Sequence, residues 1–299
     1  MDAAAQDKIL GYFIEEAKEH LETIEKGILE LSTVVNDSER INELFRAAHS
    51  LKGGAAMLNI SSIQKTSHRL EDAFKILRDE EATVDQKLEE LFWDAYDVLQ
   101  DLIERLQSAL GLQEDEAEAI VKEADPTFVE LQHYLEQQKG TGKKEAKPTP
   151  SSLEAEVEAE DDHYQDIIEQ LREMLKIFKE QPTPDNRHQL QEICTDLGIV
   201  APEVQGWQNL LTVSAKAIAN PQHSYQLLAP VVIKELKQAA DYLELGEKEQ
   251  ISPTPALERL ANTSTPQILI TVEPQAAAQV LLQVFNQAQV SQLVNLLQK

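Results

Sequence analysis

A chain of 299 residues with 53 acidic against 27 basic side chains carries a formal charge of -26, which argues against nucleic acid and anionic membrane surfaces as partners. Hydrophobic residues make up 42% and aromatic residues only 5%, a balance that suits helices packed on Leu, Ile and Ala better than an all-β core, over a length sufficient for about two domains. The single cysteine, Cys194, excludes an internal disulfide and fits a reducing compartment.

No apolar run approaches the roughly 20 residues needed to span a bilayer, and Met1 to Asp7 lacks a signal-peptide pattern. The expected location is the cytoplasm. Residues 5–33 read as a first amphipathic helix, with Leu10, Phe13, Ala17, Leu21, Ile24, Ile28 and Leu31 on one side. Asp37 or Ser38 can cap a second helix centred on His49, and Ser61 or Ser62 a third that runs to about Asp79. After a break at Thr83 and Asp85, a fourth helix repeats Leu88, Leu91, Phe92, Ala95, Leu99, Leu102 and Leu106 at helical spacing. Four amphipathic helices with short connections imply an antiparallel bundle.

The second helix holds the feature that asks for an explanation. Gly53 and Gly54 interrupt good helix formers at about 1 kcal/mol each relative to alanine, so a packing or functional reason is expected. Gly53 stands four residues after His49 and hence on the same face, where it leaves the imidazole uncovered for a large partner. Lys52 flanks the same ring. Ile41, Leu44, Ala48, Leu51, Ala55 and Leu58 form a core stripe, and Asn42, Arg46, His49, Gly53 and Ala56 the predicted open face. On the third helix His68, Glu71 and Lys75 are expected to share a face.

The run His49-Ser50-Leu51-Lys52-Gly53-Gly54 resembles the phosphoacceptor signature of histidine phosphotransfer (HPt) domains, above all the N-terminal one of CheA-type chemotaxis kinases. His68-Arg69-Leu70-Glu71 resembles a second element of that family, and the likeness covers roughly residues 5–110. It implies an all-α, four-helix HPt bundle with His49 as phosphoacceptor. Glu71 would accept a hydrogen bond from His49 Nδ1 and leave Nε2 as the nucleophile. Lys52, with His68 as a further candidate, would offset charge on the phosphoryl group, and Gly53 would give partners access. By the same resemblance a CheA-type kinase core phosphorylates His49 in trans with its own ATP and magnesium, and the aspartate of a response-regulator receiver domain, with its own magnesium, takes the phosphoryl group. The chain itself would bind no cofactor and no metal.

No glycine-rich ATP-binding box or P-loop is recognisable, so the chain reads as the phosphocarrier and substrate portion of such a kinase, from a split gene or a truncation, and its status as an enzyme stays open. Control of chemotaxis or of type IV pilus motility follows from the resemblance alone. The competing reading is a non-catalytic helical adaptor or docking module, and a metal site on His49 and His68 is weakened by the lack of paired-ligand spacing.

Beyond the bundle, Gln113 to Ala124 is acidic and helical, and Asp125-Pro126 is expected to start a further helix to Gln138, which closes a first domain at 1–138. Residues 139–162, with Gly140, Gly142, Pro148 and Pro150 followed by a run of glutamates and aspartates, read as a flexible acidic linker. Residues 163–299 read as a second, mostly helical domain for docking or dimerisation. Within it Leu227 to Leu245 is apolar and periodic, Ser252 to Pro266 loop-like and Gln267 to Val272 a short strand. His188 meets Glu192 rather than glycine four residues on and is not expected to carry phosphate. Histidines 20, 133, 163 and 223 need only surface or linker roles.

Overall fold

The computed structural model describes residues 3–80, 83–108, 111–138, 153–263 and, in part, 274–297. Among the described residues the regular structure is helical throughout. Helix α1 spans Ala3–Leu29, the single turn α2 Leu31–Val34, α3 Ser38–Met57, α4 Ser61–Asp79, α5 Gln86–Gln107 and α6 Glu114–Gln138. Then come α7 Leu153–Phe178, α8 Pro184–Val200, α9 Gln205–Ala219, α10 Tyr225–Glu244, α11 Pro255–Asn262 and α12 Gln287–Leu297. No helix among the described residues is long and apolar enough to cross a membrane.

Helices α1, α3, α4 and α5 close a four-helix bundle: α1 packs on α3 and α5, and α4 on the same two, with α6 laid against α4 and α5. The helix starts follow local chemistry. Asp37 caps α3 by accepting from the backbone N–H of Glu39 at 3.1 Å and of Arg40 at 3.2 Å, and Asp85 caps α5 through Leu88 N at 2.9 Å. The turn between α3 and α4 works differently from the serine cap expected there. Its N-cap is Ile60, without a side-chain bond. Asn59 takes the left-handed conformation (φ 58°), and Ile60 N reaches back to Ala55 O at 2.9 Å, so the backbone of the preceding helix end closes the turn.

Two further expectations differ from the structure. Helix α6 runs through Pro126 instead of starting there, because Ala117 and Ala124 before it and Phe128, Leu131 and Leu135 after it all enter the same core, and that burial outweighs the roughly 3 kcal/mol a mid-helix proline costs. Helix α7 begins at Leu153, inside the segment whose composition reads as linker. The strand expected at 267–272 lies outside the described residues.

In the second unit α7 packs on α8 and α10, while α9 packs on α8, α10 and α11. Its core is organised by buried polar groups as well as apolar ones. Trp207, fully buried, donates from Nε1 to Leu197 O at 2.9 Å, and Arg187 donates to Ile218 O at 2.6 Å and His223 O at 2.5 Å. His223 is buried here, donating from Nε2 to Leu260 O at 2.8 Å, and so has a structural role rather than a surface one. The stretch after Ser252 contains α11, capped by Thr254 with Pro255 as its first residue.

Cys194 is buried, and burial pushes its thiol up to about 12. Native protein at pH 8 is therefore expected to leave an aromatic disulfide reagent unreacted, with one thiol released on adding 6 M guanidinium, the absorbance of the released thiolate being the measurement; rapid titration of the native chain would refute the packing around α8.

Candidate functional site

Helix α3 is buried on nearly every side from Ala47 to Met57, charged and glycine residues included. The two glycines make that possible. A Cβ on Gly54 would stand 2.8 Å from the Phe13 ring of α1, and one on Gly53 would stand 1.9 Å from the Tyr164 hydroxyl of α7. Gly54 thus admits the bundle's own first helix, whereas Gly53 admits the second unit. The open face expected over His49 is covered: the imidazole is 1% exposed, because α7 and α10 lie across α3.

Within the bundle His49 Nδ1 is 2.8 Å from Glu71 Oε1. Lys52 Nζ lies 2.8 Å from Glu71 Oε2 and 3.1 Å from Oε1. Burial works against the Glu71 charge, but the hydrogen bond with His49 and the fields of His49 and Lys52 outweigh it and hold the carboxyl below its ordinary 4.5. An ionised carboxylate can only accept, so Nδ1 carries a proton, and in the neutral form of the ring the lone pair lies on Nε2. Glu71 sits in the groove against α3, away from its expected neighbours: His68 and Lys75 are exposed. His68 pairs with Asp72 at 3.7 Å, its side chain 59% exposed. The pairing of His49 and His68 on a metal therefore has no geometric basis, and His68 does not join the His49 site.

On the other side of the ring stand residues that sequence reasoning did not single out. The Tyr164 ring lies 5.0 Å from the imidazole, centroid to centroid, and Lys52 Nζ lies 5.9 Å from the same phenol ring. Asp241 Oδ1 is 3.8 Å from His49 Nε2, and Nε2 has no hydrogen-bond partner. Asp241 is already engaged by three donors: Oδ1 accepts from Tyr164 at 2.9 Å, and Oδ2 accepts from Ser50 at 2.8 Å and from Lys237 at 2.7 Å. Lys237 also reaches Ser50 O at 2.8 Å and Oγ at 2.6 Å. Burial first and Asp241 second push the Tyr164 phenol well above its ordinary 10, so it stays a proton donor. The available signal was Lys237 and Asp241 at i, i+4, in line with Pro230, Ile233 and Ala240 on one face of α10, a charged pair on a largely apolar stripe.

Fold and site together define an all-helical module: a four-helix bundle that orients one histidine with a carboxylate from the neighbouring helix. The sequence profile of the Hpt domain family matches residues 8–109, and that segment is an Hpt domain. Curated relatives include chemotaxis protein CheA of Borreliella burgdorferi, 34% identical over 97 residues, which are 32% of this chain and 11% of that protein. The corresponding protein of Klebsiella aerogenes is 36% identical over 107 residues, 36% of this chain and 16% of the relative. That of Treponema pallidum is 29% identical over 119 residues, 40% and 15% of the two chains. The chain thus spans a small part of the length of these relatives. No solved structure matches it.

The depressed Glu71 pKa fixes the sign of a pH effect. Its contribution to stability is complete above about pH 4.5 and is lost as the pH falls through the lower folded-state value. Glu71→Gln is expected to cost about 3 kcal/mol at pH 7, since Lys52 is left without its counter-charge. Urea midpoints at pH 7 and pH 3 should converge between wild type and variant; a gap of equal size at both pH values would show that Glu71 is not the ionised partner.

Proposed function

We propose that the chain is a phosphocarrier in which His49 receives a phosphoryl group from ATP on a CheA-type histidine kinase core and hands it to the aspartate of a response-regulator receiver domain. The carrying observation is the Nδ1 contact with ionised Glu71, which leaves the lone pair on Nε2. In the first transfer Nε2 bonds to the γ-phosphorus as the bond from phosphorus to the bridging oxygen of ADP breaks, and ADP leaves. No proton has to depart, because Nδ1 keeps its own. The positive charge that the ring acquires is balanced by Glu71, at 2.8 Å. Phosphoryl transfer through a loose transition state asks for positioning and charge neutralisation, and Lys52, buried beside the ring, adds a positive charge for the incoming oxygens. Nucleotide and magnesium belong to the partners' sites. A place in chemotaxis signalling is supported by the CheA relatives over the matched segment; pilus motility is the alternative output of the same chemistry.

A non-catalytic adaptor is the second reading, and the observation that favours it is the burial of His49. Incubation with labelled ATP and a CheA-type kinase core distinguishes the two. Wild type is expected to gain acid-labile, alkali-stable label that receiver domains then drain, and His49→Gln to gain none. Label retained in His49→Gln would remove His49 from the reaction, and a chain that no kinase core labels would favour the adaptor.

A further inference from the structure

The relay reading needs Nε2 of His49 within about 3–3.5 Å of an incoming phosphorus, yet the atom is sealed against the second unit. A carboxylate oxygen of Asp241 stands 3.8 Å from it. A phosphoryl group bound there would bring its own negative charge to the place that Asp241 holds, and the Tyr164 ring stands in the approach. The contacts that hold this cover are numerous and of several kinds. Lys237 and Asp241 of α10 engage Ser50, the residue next to His49. Arg172 of α7 donates to Ala56 O at 2.8 Å, and Arg46 meets Glu247 at the rim at 2.6 Å. Ile9, Ala56 and Met57 of the bundle enter the apolar core of the second unit. Glu16 of α1 faces the same helix: burial would raise its carboxyl, but Lys237 and then His20 and Lys234 hold it down at about 2.

We propose that α7 and α10 form an intramolecular cap on the phosphoacceptor, so that His49 is competent only after Tyr164 and Asp241 have moved away from it. The surface of α3 that a kinase or receiver must reach is the surface the cap occupies, and cap and partner compete for it. This rests on His49 being the phosphoacceptor. The rate of phosphorylation is then scaled by the uncapped fraction, and each tenfold preference for the capped state slows it tenfold. Linkage makes the equilibrium effect mutual: by whatever factor capping disfavours the phosphorylated state of Nε2, a phosphoryl group there disfavours recapping.

The test uses the full chain and two readouts. Diethyl pyrocarbonate modifies a histidine when an unprotonated ring nitrogen attacks its carbonyl, ethyl carbonate leaves and the ring proton passes to solvent; mass mapping reads the rate at His49 against exposed His188 in the same molecule. The second readout is the initial rate of labelling by a CheA-type kinase core with ATP. Lys237→Ala, which leaves Asp241 buried without its cation, is expected to raise both rates at His49 by about tenfold or more. Because that residue is buried, a rim variant guards against misfolding: Arg46→Glu should raise both by about threefold, and Arg46→Glu with Glu247→Arg should bring them back. Modification of wild-type His49 as fast as His188 would overturn the cap, as would unchanged rates in both Lys237→Ala and Arg46→Glu with native circular dichroism. If the variants gain diethyl pyrocarbonate reactivity but no kinase core labels any of them, the cap stands and the phosphoacceptor reading falls.

Discussion

With no side chain at Gly53 or Gly54, α3 can be approached from two directions at atomic contact, by Phe13 of its own bundle and by Tyr164 of the second unit. Everything distinctive about the site depends on that. A methyl group at Gly54 would crowd the Phe13 ring and one at Gly53 the Tyr164 hydroxyl, and the helix could no longer be enclosed as it is. The helical cost of two glycines, about 1 kcal/mol each, is offset by the apolar contacts that close approach allows. Phe13 belongs to the bundle core, and Tyr164 to the core of the second unit. The pair of glycines is therefore a junction between two cores rather than a clearing on a surface.

The buried charges at this junction follow one pattern. Glu71 is matched by Lys52, and Asp241 by Lys237. Each carboxylate also holds further donors in place: Glu71 the imidazole, and Asp241 the hydroxyls of Tyr164 and Ser50. Buried ion pairs are weak sources of net stability, because desolvation offsets most of the attraction, but removing one member of a pair is strongly destabilising. Such an arrangement tolerates little displacement. It defines one docked geometry in which Lys237 must reach Ser50 and Arg172 must reach Ala56.

The helical bundle was legible because periodicity is strong wherever helices bury one face, as Leu88 to Leu106 do in α5, and the His49–Glu71 contact was legible through the family resemblance. What periodicity could not show is a helix buried all round. From Ala47 to Met57 small residues lie on faces that look permissive in one dimension, and whether such a face is open or occupied is decided by a chain segment more than 100 residues away. Pro126 misled for a related reason, since propensity is local and the packing of Phe128 and Leu131 is not. Helix α11, by contrast, was readable in principle: Thr254-Pro255 is a cap followed by a preferred first helical residue, and the proline-rich surroundings obscured it.

The position of Nε2 between two carboxylates gives the molecule its chemical direction. Glu71 binds the proton of Nδ1 and stabilises positive charge on the ring, so it favours any reaction that leaves the ring more cationic. Asp241 lies on the side from which an electrophile must come, with Tyr164, Ser50 and Lys237 already bonded to it. A phosphoryl group at Nε2 would bring negative charge beside it and displace the Tyr164 hydroxyl from the space over Gly53. On the relay reading, the same nitrogen thus either faces the cap or bears phosphate, and the preference between the two is set by contacts of α10 that never touch the imidazole. Selection on Arg46, Glu247 or Lys237 could then tune the response without altering His49, Lys52 or Glu71, which keeps the reacting groups constant while their availability varies.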